Sequence, residues 1–163
     1  GYLKDFDVLL FSGAVSKGKF DFLPEVFQEL GVEKLFHKVS QRPGKPFWFG
    51  QKTGCKLFAF PGNPISTFAN CLAYFYPWYS KSTGIKTNDE TAILTENVSF
   101  KPNLTYFLQV KLSHKSGHLL ATPIKGNGSG DLASLVNSDA FIQLPKDQKE
   151  YKKGEIYPII RYR

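Results

Sequence analysis

Over the first half of the chain, short apolar runs alternate with helical spacings of apolar residues. Asp7-Val-Leu-Leu-Phe-Ser12 is an apolar run suited to a strand buried on both faces. A glycine-bearing loop, Gly13 to Gly18, follows it. Asp21 is then placed to cap a helix from Phe22 to Leu30, with Pro24 and Glu25 in the first turn and Gly31 just past the end. Leu23, Val26, Phe27 and Leu30 share one face of that helix. Lys34 to Ser40 predicts a second strand, interrupted by Arg42-Pro-Gly-Lys-Pro46. Phe47-Trp-Phe49 resumes the apolar run, and Lys56 to Phe60 predicts a further strand. After the break Pro61-Gly-Asn-Pro64, Asn63 as N-cap and Pro64 as first helical residue start a helix reaching about Tyr79. Its predicted apolar face runs through Phe68, Leu72, Phe75 and Tyr79.

The pattern changes after Ser80. A polar stretch containing Gly84 reads as a linker, residues 84–90. Beyond it no helical spacing is evident. Strands are predicted at Ala92–Phe100, Thr105–Leu112, His118–Pro123, Ala140–Leu144 and Ile156–Tyr162, separated by turn residues such as Ser116-Gly117 and 126–130. The chain therefore reads as two units: an α/β layer with a mostly parallel sheet over residues 1–83, and a small all-β barrel-like or sandwich domain over 91–163.

Composition narrows the function classes. With 163 residues, 42% of them hydrophobic, the chain has material for one domain or two small ones. No apolar run approaches the roughly 20 residues that a bilayer-spanning helix needs, and the N-terminus carries no signal-peptide pattern. The absence of methionine suggests a piece of a longer protein. Cys55 and Cys71 have no metal-ligand or disulfide-framework spacing, which favours buried thiols in a reducing cytoplasm. The net charge of +7 favours anionic partners. The cations cluster at turns rather than in a stripe interleaved with aromatics, which argues against a nucleic-acid module.

In an open parallel sheet, ligands bind beyond the carboxyl ends of the strands, where helix N-termini offer free amides. Three polar loops fall at such junctions. Ser12-Gly-Ala-Val-Ser16-Lys-Gly18 offers two hydroxyls and a glycine-permitted backbone approach. Arg42-Pro-Gly-Lys45-Pro46 fixes two cations on a stiff loop, and Pro61-Gly-Asn-Pro64 leads into a helix with Ser66 in its first turn. Cations held rigidly lose little conformational freedom when a dianion arrives. Asp21 is either a plain helix cap or a group that holds a metal or orients water. Phe47-Trp48-Phe49 suits a core better than a stacking platform.

In this order and spacing, Ser12-Gly-Ala-Val-Ser-Lys-Gly-Lys-Phe-Asp21, Arg42-Pro-Gly-Lys-Pro46 leading to Phe49-Gly50, and Phe60-Pro-Gly-Asn-Pro-Ile-Ser66 resemble the molybdopterin molybdenumtransferases. These are the MoeA proteins of bacteria and the gephyrin E domain of animals. Gly128-Ser-Gly-Asp-Leu-Ala-Ser-Leu135, Ala140–Pro145 and Lys153-Gly154-Glu155 resemble that family's C-terminal β domain. The resemblance implies part of a three-layer, MogA-like molybdopterin-binding domain followed by the β domain. It also implies a cytoplasmic, homodimeric parent that inserts molybdate into adenylated molybdopterin with Mg²⁺ and releases AMP.

Carried over by position, the resemblance implies that Asp21, Arg42 and Lys45 are the catalytic residues. Asp21 would lie near the metal and phosphates, and Arg42 and Lys45 would hold the molybdate oxyanion. Ser12, Gly13 and Ser16 would line the pterin or its phosphate; Pro46, Pro61, Gly62, Asn63, Pro64 and Ser66 would complete the substrate site, and Ser129 would face the oxyanion. Three positions depart from the family pattern: Ala14 for a second glycine, Arg42 for a lysine, and Gln109 where an arginine is common. The two domains and the first strands expected upstream are absent, so the resemblance implies an inactive piece. The alternatives are a scaffold or binding module of the same fold, or a basic nucleic-acid module. No membrane partner is expected.

Overall fold

A computed structural model describes residues 1–15, 22–124 and 132–163. The first unit opens with a helical turn, α1 (Tyr2–Asp5), and strand β1 (Val8–Ser12). Helix α2 (Leu23–Glu29), β2 (Glu33–His37), β3 (Gln41–Arg42), β4 (Trp48–Lys52) and β5 (Cys55–Phe60) follow. The chain then continues through α3 (Pro64–Asn70), a π-helical turn (Cys71–Phe75) and α4 (Tyr76–Thr83). Gly84, with φ +73°, closes α4 in the left-handed conformation that glycine adopts without a Cβ penalty.

The first sheet has the order β1-β5-β4-β2. Only β1 and β5 are parallel; β4 pairs antiparallel with both β5 and β2. The expected mostly parallel sheet is therefore mixed among the described strands, because Thr53-Gly54 turns β4 straight back into β5. Thr53 and Gly54 both have positive φ, as such tight hairpins require. The sheet lies between helices. On one face Phe27 of α2 packs with Trp48, Leu57, Ala59 and Val32. On the other, Phe47, Phe58 and Phe60 pack with Tyr74, Phe75 and Trp78. The aromatic run Phe47-Trp48-Phe49 is core, with Phe47 and Trp48 pointing to opposite faces as strand geometry dictates.

The helix beginning at Pro64 forms as expected, but its apolar residues serve two neighbours. Phe68 and Leu72 face the second unit, whereas Tyr74, Phe75 and Trp78 face the first sheet; Tyr79 is largely exposed. The π-helical turn inserts one extra residue, which rotates the helix so that it can bury both sides. Helix α2 uses only part of its predicted face. Phe27 is buried, while Val26 and Leu30 stay exposed along an apolar groove of about 660 Å³ with Leu9, Phe11 and Leu57.

The second unit comprises β6 (Glu90–Leu94), β7 (Val98–Ser99), β8 (Thr105–Lys115), β9 (His118–Pro123), α5 (Leu132–Asn137), β10 (Ala140–Leu144), β11 (Glu150–Tyr151) and β12 (Ile156–Arg161). Strands β10-β12-β6-β9-β8 close on themselves through a β10–β8 pairing, giving a five-stranded barrel. Its core is mainly aliphatic: Leu94, Val110, Ile142 and Leu144 are fully buried, with Tyr151 beside them. The expected strand over 92–100 divides into β6 and β7, and β7 pairs with β11 outside the barrel. Helix α5 was not expected, since its six residues carry too short a pattern to separate from a loop.

Two features join the units. Strand β3, between β2 and β4 in the chain, joins the second sheet and pairs in parallel with β8, Gln41 opposite Thr105 and Arg42 opposite Tyr106. Ile65 and Ala69 of α3 pack with Phe107 and Phe141 of the barrel. The segment Lys34–Ser40, read as one strand, thus ends at His37. The chain then crosses between sheets, with Lys38 at φ +74°.

Candidate functional site

The first loop leaves β1 at the edge where the parallel strand β5 also ends. Ser12 lies opposite Phe60, and the Gly13 N–H donates to the Phe60 carbonyl at 2.9 Å. Gly62 sits so close to Gly13 that a Cβ on it would touch the Gly13 backbone at 3.5 Å. The Ser12–Gly13 and Pro61–Gly62 motifs therefore meet. Gly13 and Ala14 adopt positive φ, +96° and +54°. For Ala14 this conformation is strained, a physical reason for a second glycine at that place. His37 Nε2 lies 3.1 Å from the Val15 carbonyl and ties the loop to β2. Ser16 and Asp21 lie outside the described residues.

The third motif behaves as its residue types dictate. Asn63 is the N-cap, its Oδ1 accepting from the Ser66 N–H at 3.0 Å, with Pro64 in the first helical position. The Asn63 carbonyl accepts from the Thr67 N–H at 2.9 Å, and the Thr67 hydroxyl donates back to the Pro61 carbonyl. Ser66 is buried, whereas Gly62 and Pro64 are exposed at the loop's rim.

The second motif is gripped from behind by the helix that the third motif starts. The Asn70 Nδ2 donates to the Gly44 carbonyl at 3.0 Å. The Gln41 Nε2 donates to Asn70 Oδ1 at 2.8 Å and to the Pro43 carbonyl at 2.9 Å, and the Tyr74 hydroxyl donates to Gln41 Oε1. Burial pushes the Tyr74 phenol above its ordinary range, so it remains a neutral donor. Gly44 has φ +91°, and a Cβ there would collide with the Asn70 carboxamide, 2.8 Å from its Cγ. Arg42–Pro43 is a cis peptide. The Lys45 carbonyl accepts from the Val39 N–H at 3.0 Å and the Phe47 N–H at 2.9 Å. The backbone of the loop is thus fixed, while Arg42 and Lys45 remain exposed and Pro46 half-buried.

A cavity of about 130 Å³ opens between the two units beside this loop. It is well above the roughly 10–15 Å³ that one water requires. Arg42, Pro43 and Ile65 line it from the first unit; Tyr106, Gln109 and Ser134 line it from the second. Burial raises the Tyr106 pKa, and the nearby Arg42 guanidinium opposes that rise. Gln109 is nine-tenths buried on β8. The sequence singled out Arg42 and Gln109 separately, and the structure brings them to one cavity. Ser134 was missed as a lining residue because α5 was missed. Ser129 lies outside the described residues. Among the described residues, no group of three or more His, Cys, Asp or Glu side chains could hold a metal ion.

The fold is an α/β layer joined to a small β-barrel, with the three loops gathered along the α/β layer and at its junction with the barrel. Residues 2–80 match the probable molybdopterin binding domain, and residues 91–161 match the MoeA C-terminal region (domain IV). A molybdopterin molybdenumtransferase of Synechocystis sp. is 41% identical over 160 residues, covering 94% of this chain and 38% of that protein. One from Bacillus subtilis is 34% identical, covering 99% of this chain and again 38% of the relative. The crystal structure of the molybdopterin biosynthesis MoeA protein from Pyrococcus horikoshii superposes with a TM-score of 0.73 at 27% identity, over 98% of this chain and 36% of that one. The chain belongs to the MoeA family, and it spans about 38% of the length of these curated relatives.

Proposed function

We propose that this chain supplies the molybdopterin-binding and oxyanion-holding part of an enzyme that inserts molybdate into adenylated molybdopterin and releases AMP. One observation carries the reading: the helix that begins in the Pro61–Pro64 loop grips the Arg42–Pro46 loop through Asn70, while Gly13 bonds to the strand end just before Pro61. Three loops of different sequence origin are thereby tied into one edge. The pterin phosphate lies against Ser12, Gly13 and the Pro61–Ser66 turn, where the Gly62 backbone is exposed beside Gly13. The molybdate sits by Arg42 and Lys45, exposed cations on a loop whose backbone is already fixed. Arg42 is the one cation lining the cavity among the described residues, opposite the neutral amide of Gln109.

Mg²⁺ would assist at the phosphates, with Asp21 as its ligand. Asp21 lies outside the described residues, and among those described no group of three or more His, Cys, Asp or Glu side chains could hold the ion. The longer parent acts as a homodimer, and this chain binds its ligands without turning them over. A cytoplasmic setting suits the two free thiols, Cys55 and Cys71. No helix among the described residues is long and apolar enough to cross a membrane.

Calorimetry with molybdate tests the reading. Lys45→Ala is expected to weaken binding by about tenfold or more, the loss of one charge-assisted contact. Because Lys45 is exposed, melting should not move. Absence of molybdate binding by the chain, or salt-sensitive binding to random DNA unaffected by Lys45→Ala, would overturn the oxyanion assignment. Steady AMP release from adenylated molybdopterin by this chain alone would overturn its proposed lack of turnover.

A further inference from the structure

The Arg42–Pro46 loop projects two cations, yet what holds its shape is neutral. Gln41 and Asn70 are 2% and 0% exposed, and between them they bind the carbonyls of Pro43 and Gly44. Each side chain also holds the other, Gln41 Nε2 donating to Asn70 Oδ1, and the free oxygen of Gln41 accepts from the Tyr74 hydroxyl. The arrangement meets the hydrogen-bonding capacity of a buried carboxamide pair that would otherwise be costly to bury. Carboxylates could reach the same carbonyl-rich site only by protonation, and as anions they would cancel the positive field of the loop. Carboxamides pin the backbone and leave that field intact. Among the described residues, neither Arg42 nor Lys45 is drawn into an ion pair.

We propose that Gln41, Asn70 and Tyr74 are positioning residues that hold the Arg42–Pro46 loop in its anion-receiving shape. The proposal rests on the oxyanion reading above, but it also makes a claim about the loop that does not depend on any ligand. The Tyr74 hydroxyl reaches the loop only through Gln41. Its ring stacks on Phe47 with centroids 4.9 Å apart, so Tyr74→Phe removes the hydroxyl and retains the packing.

The test is a double-mutant cycle read in molybdate affinity, melting temperature and amide exchange. Tyr74→Phe is expected to weaken molybdate binding about fivefold, and Gln41→Met, which keeps the length of the side chain, by about tenfold or more. Gln41→Met leaves the Tyr74 hydroxyl buried without its acceptor. Adding Tyr74→Phe should therefore restore part of the lost melting temperature while binding stays as weak as in Gln41→Met alone. A merely structural role predicts that affinity recovers with stability, and that result would overturn the proposal, as would unchanged affinity in all three variants.

Hydrogen exchange supplies the ligand-free readout. The Val39 and Phe47 amides, both bonded to the Lys45 carbonyl, should exchange faster in the variants, with the Leu57 amide in the sheet unchanged. If the unmutated chain binds no molybdate, the oxyanion reading fails and exchange alone decides: selective loosening at Val39 and Phe47 upholds the positioning role, and uniform or absent change refutes it. Should Gln41→Met fail to fold, Tyr74→Phe decides by the same two measurements.

Discussion

The two units bury their cores in different ways. The barrel closes every strand edge of its ring through the β10–β8 pairing, and its core is mainly aliphatic, with Phe100, Tyr151 and Tyr157 among the buried side chains. The α/β layer is an open sheet whose faces are packed with aromatic rings, and β1 and β2 are its outer strands. A closed ring leaves little backbone to offer a ligand, whereas an open sheet ends in loops whose amides and carbonyls need partners. The candidate site accordingly draws its backbone groups from the open layer. The barrel contributes a wall: Tyr106, Gln109 and Ser134. Between them, α3 belongs to both, since its π-helical continuation packs one side on each unit.

Breaking the join should have the largest effect. Phe141 is fully buried and packs with Phe68, Tyr162 and the α3 residues. Phe141→Ala is expected to cost about 3–5 kcal/mol and to separate the two units in thermal melts. Both tryptophans, Trp48 and Trp78, belong to the α/β layer. Tryptophan fluorescence then reports that layer, while circular dichroism reports both. Two transitions in the variant, where the unmutated chain has one, is the outcome to look for. A single shifted transition would mean that β3–β8 pairing alone couples the units.

The next effect distinguishes the barrel by pH. Burial, and the Glu155 carboxylate that accepts its hydroxyl, push the Tyr157 pKa from an ordinary 10 up to about 12. The folded state therefore keeps the proton more tightly than the unfolded state. This contribution is complete below about pH 10 and is lost as pH rises through about 12. Tyr157→Phe should flatten stability over that window, measured by denaturant midpoints between pH 9 and pH 12. An unchanged slope would assign the alkaline loss to other tyrosines.

The smallest effect lies in the open layer. Ala14 holds φ +54°, which costs an L-residue about 1–2 kcal/mol, while glycine gives back part of that in chain entropy. Ala14→Gly is expected to stabilise the chain by about 0.5–1 kcal/mol. A destabilised variant would mean that the Ala14 methyl packs usefully.

Much of the local structure was legible in the residues. Strands at His118–Pro123 and Ala140–Leu144 fall at the expected limits, because the turn residues that bracket them leave few other choices. Asn63-Pro64 starts a helix for reasons contained in four residues. Strand direction was not legible in the same way. The apolar runs of β4 and β5 suit a parallel sheet, but the two-residue turn between them forces a hairpin. Nor could helical spacing reveal that the Pro64 helix serves two neighbours, since a π-helical turn changes the phase of the apolar face midway.

Capping, turn chemistry and motif spacing act over a few residues, so the chain's own order shows where loops interrupt apolar runs, which loops carry cations and which family the three motifs resemble. Tertiary structure alone decided that Asn70 and Tyr74 reach back to Gln41, 29 and 33 residues away, and that Gln109 shares a cavity with Arg42. Those contacts are set by how two units dock across β3 and α3, and docking depends on the summed fit of surfaces distant in the chain. No local pattern of hydrophobic and polar residues encodes that fit.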